Sequence, residues 1–493
     1  MVSIAVVGLS TLAATYAFLR FLLAYTHDEN EPKALATSFP FLSPILRMSK
    51  KGKFYTDLRL IPLVQRQTRI LDFAPVQTIA AINVMGVTPA GREILNIEKE
   101  GVGKHAYAIE TDMAIHAAVT PGVHLDAMNR LSVQKICEYL NALASETPKD
   151  LRLYNWVSKQ ISWATTDAVY GPRNPFKDPE VLEAFGKFEP GIVTLLLGLP
   201  FPLVKEAVQG REKVVRAFMS YFGNGDYKQG SELVRARFKH STEYNVSIED
   251  TARFEMGGAV AILTNTIPSA FWVLWHIISV SAILEECRIE LERLCRVRND
   301  TVTIDMTEVR SSCPILLSTL QEVLRFHGTG TSVRIVQEDH LLDGKYLLKK
   351  GGTLIIPGPV QHSEKSVYGN SVDNFDHKRF LRTGTKRLNP VGFRGFGGGS
   401  TLCPGRHFAS TEIIAFVALM VLRFDIKPKS GTWVRPTTQN AGMQATVPPP
   451  DADINVEIKN RKGHLAGKLW NATLTGSDKV VALVAEDVDR DQV

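Results

Sequence analysis

Cysteine is scarce in this sequence and follows no pattern. The 493 residues include five cysteines, an odd number, and none of them belongs to a C-x-x-C pair or to a Cys/His ligand spacing. Disulfide frameworks and structural zinc sites both depend on such patterns. The sequence therefore argues against both and favours a reducing compartment.

A strong excess of charge of one sign is also missing. Lys and Arg number 57 against 51 Asp and Glu, which gives a formal net charge of +6. Domains that bind nucleic acid usually carry dense basic surface, so we expect no nucleic-acid partner. The balance is compatible with an acidic protein partner or a membrane surface.

A long apolar run is present at the N-terminus. The first 25 residues, MVSIAVVGLSTLAATYAFLRFLLAY, carry no charged side chain before Arg20. As a helix they would cross about 30 Å of hydrocarbon. The alternative is a cleaved signal peptide, but Lys and Arg are missing before the run and the run is longer than usual. We expect residues 1–27 to be a transmembrane anchor, with the basic residues that follow it on the cytosolic side.

The rest of the chain is patterned mainly for helices. Apolar residues recur at i, i+3 or i+4 in LSVQKICEYLNALA, DPEVLEAFGKF, AILEECRIELERLC and CPILLSTLQEVLRF. Strand-like segments are short, for example KYLLKKGGTLIIP and DADINVEIKN. We expect a mainly α catalytic domain with small β-sheets over residues 28–462, and an appended C-terminal tail over residues 463–493.

The uncharged segment Met256–Leu284 is long enough to be a second membrane helix. Thr264, Asn265 and Thr266 lie at its middle, where lipid tolerates polar groups least. A long helix through a soluble core fits better. Pro268 has no backbone N–H, so we expect a kink here with a polar notch beside it.

The stretch FRGFGGGSTLCPGRHFA places three glycines just before Cys403. Pro404 and Gly405 precede an apolar helical pattern, which puts the cysteine at a helix N-terminus. We expect the helix dipole and free N–H groups to lower the pKa of the thiol. The thiolate would then be a nucleophile or a metal ligand, and a buried inert cysteine is the alternative.

The pattern F-x-x-G-x-x-x-C-x-G, formed by Phe396, Gly399, Cys403 and Gly405, resembles the haem-ligand loop of the cytochrome P450 family. The resemblance implies haem b as cofactor, with the Cys403 thiolate as the axial iron ligand and loop N–H groups bonded to its sulfur. It also places Arg406 in the cofactor loop.

Glu322 and Arg325 form an E-x-x-R pair in a largely apolar helix, so the pair is expected to be buried. A buried ion pair needs further hydrogen-bond partners. The segment from Asp373 to Phe380 resembles the part of the family that supplies a second arginine, here Arg379. His377 and Lys378 replace the usual Pro and Glu of that segment.

Two further positions match the resemblance. Arg334 occupies the place where the family sets an arginine against a haem propionate, and a surface strand arginine is the alternative. TNTIPSAFW resembles the oxygen-activation segment, with Thr266 at the threonine position and Asn265 where Asp or Glu is usual. An amide cannot ionise, so Asn265 can only orient water or substrate.

Two departures concern the haem propionates. Thr401 replaces the Arg or His usual two residues before the cysteine, and no W-x-x-x-R occurs around HLDAMNRLSVQK. Propionate neutralisation is therefore less well accounted for than in a typical member. Together with N-T-I-P-x-x-F-W, the substitutions resemble the steroid 7α-hydroxylase and prostacyclin synthase branch.

The resemblance implies a monooxygenase that inserts one oxygen atom from O2 into a lipophilic substrate such as a sterol or terpenoid. NADPH–cytochrome P450 reductase would supply electrons at the face behind Cys403, where Arg394 and Arg406 suit an acidic partner. The implied location is the endoplasmic reticulum membrane, single-pass, with a cytosolic catalytic domain. The alternatives are a haem-thiolate isomerase or dehydratase that needs no external electrons, and a haem sensor or carrier without turnover.

Overall fold

The computed structural model describes residues 4–28, 30–32, 58–381, 391–440, 442, 444–476, 483, 484 and 487. Helices make up most of this part. Their bounds in chain order are α1 Ile4–Thr26, α2 Leu60–Arg66, α3 Ala74–Ala80, α4 Pro89–Leu95, α5 Ala106–Val119, α6 Val123–Glu146, α7 Leu153–Tyr170, α8 Pro179–Phe188, α9 Ile192–Leu196, α10 Phe201–Gly223, α11 Glu232–Glu243, α12 Ile248–Leu263, α13 Thr266–Ile278, α14 Ser281–Glu292, α15 Met306–Ser312, α16 Pro314–Phe326, α17 Gly358–His362, α18 Lys365–Tyr368 and α19 Arg406–Arg423.

The strands are short and form small sheets, as expected. Their bounds are β1 Leu71–Asp72, β2 Lys149–Arg152, β3 Arg296–Arg298, β4 Thr301–Asp305, β5 Thr331–Val336, β6 His340–Leu342, β7 Tyr346–Leu348, β8 Thr353–Pro357, β9 Phe424–Pro428, β10 Asn455–Asn460 and β11 Leu469–Thr473. The sheet orders are β1-β5-β8, β2-β10-β9 and β11-β4-β3, with β6 and β7 as a hairpin. Arg334 pairs with Leu354 in the antiparallel β5–β8 ladder.

The long apolar segment is a core helix, and its kink is confirmed. Within the described residues one helical stretch, Ile248–Ile278, is long and apolar enough to cross a membrane, but it is mostly buried inside the protein. Its second half, α13, is buried at every residue. The two halves are separated at Thr264 and Asn265, where Pro268 cannot donate to the Thr264 carbonyl.

The four helical patterns are confirmed within α6, α8, α14 and α16, and the strand-like segments form β7, β8 and β10. The region after residue 462 departs from the expectation of an appendage. Leu469–Thr473 pairs in parallel with Thr301–Asp305, and Trp470 and Ala472 are buried against the core. Apolar and polar residues alternate too weakly in this region for the sequence alone to predict the strand.

The N-terminal apolar run is helical over Ile4–Thr26. Its large apolar side chains Leu12, Phe18 and Phe21 are exposed. The chain just after this helix is tied to the β6–β7 hairpin, because the Leu347 N–H donates to the Asn30 carbonyl at 2.7 Å. The helix therefore leaves the domain beside this hairpin, and its role as an anchor stays a prediction.

Candidate active site

A cavity of about 670 Å³ lies where the α12–α13 kink faces the loop before α19. Asn265 and Thr266 line it from the kink, and Phe396, Thr401 and Cys403 line it from the loop. These residues come from segments more than a hundred positions apart. The structure thus brings the polar notch and the cysteine to one chamber.

The glycine loop holds Cys403 in place through backbone geometry. Gly397 and Gly399 have φ angles of 78° and 58°, which disfavour any other residue. The Cys403 N–H donates to the Phe396 carbonyl at 2.8 Å. Helix α19 begins at Arg406, so the expected helix start directly after the cysteine is confirmed.

The middle glycine makes room for an arginine. A Cβ atom on Gly398 would lie 2.1 Å from Arg394 Nη1. Arg394 lines the cavity, and the side-chain amide group of Gln65 lies 3.0 Å from its Nη2. The glycine run therefore leaves space for the buried guanidinium of Arg394 and also allows the loop to turn.

The surroundings of the Cys403 thiol include groups that stabilise a thiolate, but their effect is smaller than the cost of burying the charge. Burial raises its pKa, and the backbone N–H groups of Gly405 and Arg406, together with the Arg406 charge, oppose that rise. The expected net lowering of the pKa is wrong, because the cost of burying the charge exceeds the effect of the helix N-terminus. A bound metal cation would reverse the balance.

Glu322, Arg325 and Arg379 form a buried cluster, as the sequence predicted. Arg325 Nε and Nη2 each donate to Glu322 at 2.7 Å, and Arg379 Nε donates to both carboxylate oxygens at 3.1 Å. The Asp376 N–H adds a bond of 2.9 Å. Arg325 Nη1 also donates to the carbonyls of His362 and Val372, each at 2.9 Å. Each charge thus has the additional partners that burial requires.

Arg334 is a buried cation beside the loop. Its Nη1 donates to the Val333 carbonyl at 2.8 Å and its Nη2 to Thr401 Oγ1 at 2.8 Å. Burial lowers the pKa of its guanidinium, which the charge of Asp72 only partly offsets. In the part of the chain that is described, no carboxylate forms an ion pair with it. Thr401, the residue that departs from the usual loop pattern, therefore positions Arg334.

Asn265 holds the cavity wall together. Its Oδ1 accepts the Thr446 N–H at 2.6 Å, which ties the kink to a loop 181 positions later in the chain. Thr266 is the first residue of α13 and is buried within the cavity wall. The amide thus orients protein backbone, a role that sequence reasoning missed.

The two arginines expected on a docking surface are both buried. Arg406 donates from Nη2 to Asp487 at 2.7 Å and from Nη1 to the Cys403 carbonyl at 3.1 Å. Arg394 is 8% exposed and Arg406 7%. Their interpretation as surface charges for a redox partner is wrong, because both side chains are buried, Arg406 against Asp487 and Arg394 beside Gly398.

The cavity also has a polar end that no sequence motif indicates. Arg237 Nη1 and the Tyr170 hydroxyl both donate to Glu255 Oε1 at 2.9 Å, and Arg237 and Glu255 line the cavity. Burial raises the pKa of Glu255 despite the arginine. Only the fold brings α11 against α12 and assembles this pair.

These features fit an anionic iron porphyrin. The Cys403 thiol, with two backbone N–H groups directed at it, would suit a thiolate ligand of the iron, and the cation of Arg334 would suit a carboxylate of the porphyrin. Phe396 and Phe408 add apolar side chains to the lining of the cavity. Cys403, Arg334 and the glycine loop are the residues that would hold it.

Comparison with solved structures agrees with this architecture. The fold is similar to the crystal structure of the cytochrome P450DA heme domain, with a TM-score of 0.62 and 17% identity over 83% of this chain and 88% of that chain. At this identity the likeness shows the fold alone.

Sequence comparison identifies the family. The family model "Cytochrome P450" matches residues 235–456. The cytochrome P450 monooxygenase nodJ of Hypoxylon pulicicidum is 32% identical over 93% of this chain and 95% of its own length. Cytochrome P450 7A1 of Oryctolagus cuniculus is 26% identical over 56% of this chain and 59% of its own length. The chain therefore belongs to the cytochrome P450 family, which makes it an oxidoreductase with haem b as cofactor and a cysteine thiolate as iron ligand.

Proposed function

We propose that this protein is a monooxygenase acting on a lipophilic substrate, with electrons from NADPH through NADPH–cytochrome P450 reductase. One atom of O2 enters the substrate and the other leaves as water, which consumes two electrons and two protons. The observation that carries the proposal is that Cys403 and Thr266 line the same cavity. The bound haem supplies oxygen reduction and O–O cleavage, favoured by electron donation from the thiolate.

Thr266 is the proposed proton donor of the site. Its hydroxyl lines the cavity at the break between α12 and α13, and a hydroxyl both donates and accepts a proton. Asn265 Oδ1 is already engaged by the Thr446 N–H. In this proposal Asn265 fixes the wall and Thr266 Oγ1 passes protons from cavity water.

The cavity lining supports an elongated substrate with one polar end. One face of α12 runs from Glu255 through Gly258 to Ile262 along the cavity, a distance of about 10 Å, and Thr266 follows at the start of α13. Apolar positions lie between polar ends. We therefore place a sterol- or terpenoid-like molecule along this face, with an oxygen function near Arg237 and the oxidised carbon near Thr266. Similarity to proteins named cholesterol 7-alpha-monooxygenase and 25-hydroxycholesterol 7-alpha-hydroxylase supports the sterol class.

The second candidate is a haem-thiolate isomerase or dehydratase, which needs no external electrons. Asn265 favours it, because the residue lacks the acid usual at this position and its Oδ1 is occupied. The experiment is turnover of a sterol and terpenoid panel by microsomes with and without NADPH and co-expressed reductase. We expect a product heavier by one oxygen that forms only with both. Full turnover without NADPH would overturn the monooxygenase and support the isomerase.

Replacing Thr266 with alanine is expected to uncouple the reaction. Product formed per NADPH should fall on the order of tenfold, with more hydrogen peroxide released, because proton delivery at this position is lost. Ser269→Ala is the matched control, since the Ser269 hydroxyl lines the same cavity but is committed to the Asn265 carbonyl at 2.7 Å. NADPH, product and peroxide are measured together. Unchanged coupling in Thr266→Ala would remove this hydroxyl from the proton path.

We propose attachment to the endoplasmic reticulum membrane through α1, with the catalytic domain in the cytosol. The 23 residues of α1 span about 34 Å and expose large apolar side chains. A second exposed apolar patch, formed by Leu197, Phe201 and Leu203, lies at the α9–α10 turn. A chain lacking residues 1–27 should be released from membranes by high salt or mild detergent. Full-length protein that washes off at high salt alone would refute the anchor.

A further inference from the structure

The C-terminal segment reaches the back of the haem-ligand loop. Leu483, Val484 and Asp487, which together form the tail contact, are all buried, and Val484 belongs to the main hydrophobic core. Gln321 of α16 donates to the Leu483 carbonyl at 3.2 Å. This segment, about 80 residues beyond the cysteine, is therefore part of the wall behind Cys403.

The Asp487 carboxylate is fully enclosed and joins two structures. Its Oδ2 accepts the N–H groups of Leu483 and Val484 at 3.0 and 3.3 Å, which closes the tail contact into a turn. Its Oδ1 accepts from Arg406 Nε and Nη2 at 3.1 and 2.7 Å. One carboxylate thus fixes both the tail contact and the arginine.

Arg406 connects Asp487 to the backbone of Cys403, the iron ligand. Its third nitrogen, Nη1, donates to the Cys403 carbonyl at 3.1 Å. With all three nitrogens engaged and the side chain 7% exposed, the guanidinium has no freedom to turn away. Its charge acts on the thiolate through the protein interior, where it is screened less than it would be in water.

We infer that Asp487 is a positioning residue of the haem site, which holds Arg406 against the Cys403 loop and, by balancing its charge, sets the reduction potential of the bound haem. Reduction adds one negative charge at the iron, so an unbalanced arginine nearby favours the reduced form. Asp487 opposes that effect. The inference rests on Cys403 ligating the haem, which the proposed function shares.

The test is spectroelectrochemical titration of the full-length haem protein carrying Asp487→Asn. We expect the reduced form to be favoured about tenfold, which for a one-electron couple is an upward shift of about 59 mV. Asp487→Glu, which keeps the charge, should stay near the wild-type potential. The double variant Asp487→Asn/Arg406→Gln should also return towards it, because both charges are removed.

Asp150→Asn is the matched control, since Asp150 is an exposed carboxylate paired with Lys429 on the β2–β10–β9 sheet. It should leave the potential unchanged. A residue that only supports folding would lower haem content without moving the potential of the remaining haem protein. A potential in Asp487→Asn equal to that of wild type and Asp150→Asn overturns the inference.

If Asp487→Asn takes up too little haem for titration, the reduced, CO-bound spectrum of whole membranes is used instead. We expect the share of the thiolate-type band to fall in Asp487→Asn and to hold in Asp487→Glu. An equal fall in both variants would show that packing, and not the charge, matters and would overturn the inference. A wild-type protein without the thiolate-type band would instead refute Cys403 as ligand, so the two failures are distinguishable.

Discussion

Replacing Glu322 with alanine is expected to lower the free energy of unfolding by about 3–5 kcal/mol. The substitution leaves Arg325 and Arg379 buried without their shared carboxylate, and water cannot replace it where Glu322 is 0% exposed. Total stability of a folded domain is about 5–15 kcal/mol, so the loss is a large fraction of it. Urea unfolding followed by tryptophan fluorescence, with haem content measured in parallel, checks the result.

The matched control is Glu286→Ala. Glu286 is also a helical glutamate with two basic partners, His377 at 2.9 Å and Lys378 at 2.6 Å, but it is one-third exposed. Exposed ion pairs contribute about 0–1 kcal/mol, so this variant should remain close to wild type. If Glu322→Ala and Glu286→Ala lose similar stability, burial is not what makes the Glu322 carboxylate costly to remove.

The parts of the fold that depend on local pattern could be predicted from the sequence. The periodicity of CPILLSTLQEVLRF places Glu322 and Arg325 on one helical side among apolar positions, which fixes both their contact and their burial. Pro268 marks the break between α12 and α13 because the missing N–H is a property of the residue itself. The glycine run likewise indicates a loop with positive φ angles, which Gly397 and Gly399 adopt.

Contacts between distant segments that no motif marks could not be predicted. Asp487 meets Arg406 across 81 positions, and its acidic neighbourhood EDVDRD resembles a solvated end. Asn265 meets Thr446 across 181 positions through a backbone N–H, which leaves no trace in side-chain pattern. The lowered pKa expected for Cys403 is wrong for the same reason, since burial depends on the whole fold and the helix terminus only on the local sequence.

Replacing Cys403 with serine is expected to abolish the thiolate-type band of the reduced, CO-bound protein and to lower turnover by more than about 100-fold. Loss of an outer partner of a metal ligand already costs about 10–100-fold, so loss of the ligand itself should exceed that range. Serine keeps the size of the side chain, but the hydroxyl does not ionise under the influence of the Gly405 and Arg406 N–H groups. The electron donation that favours O–O cleavage is therefore lost.

Cys295→Ser is the control for removing a thiol elsewhere. Cys295 is half-buried after α14 and donates to the Leu291 carbonyl at 3.6 Å, and burial raises its pKa to about 12, so it stays a neutral thiol. Its serine variant should keep both the band and turnover. The loop directs its N–H groups and the Arg406 charge at the Cys403 sulfur, which is why we expect this thiol to bind the iron. A Cys403→Ser protein with wild-type spectrum and turnover would show that another group binds it.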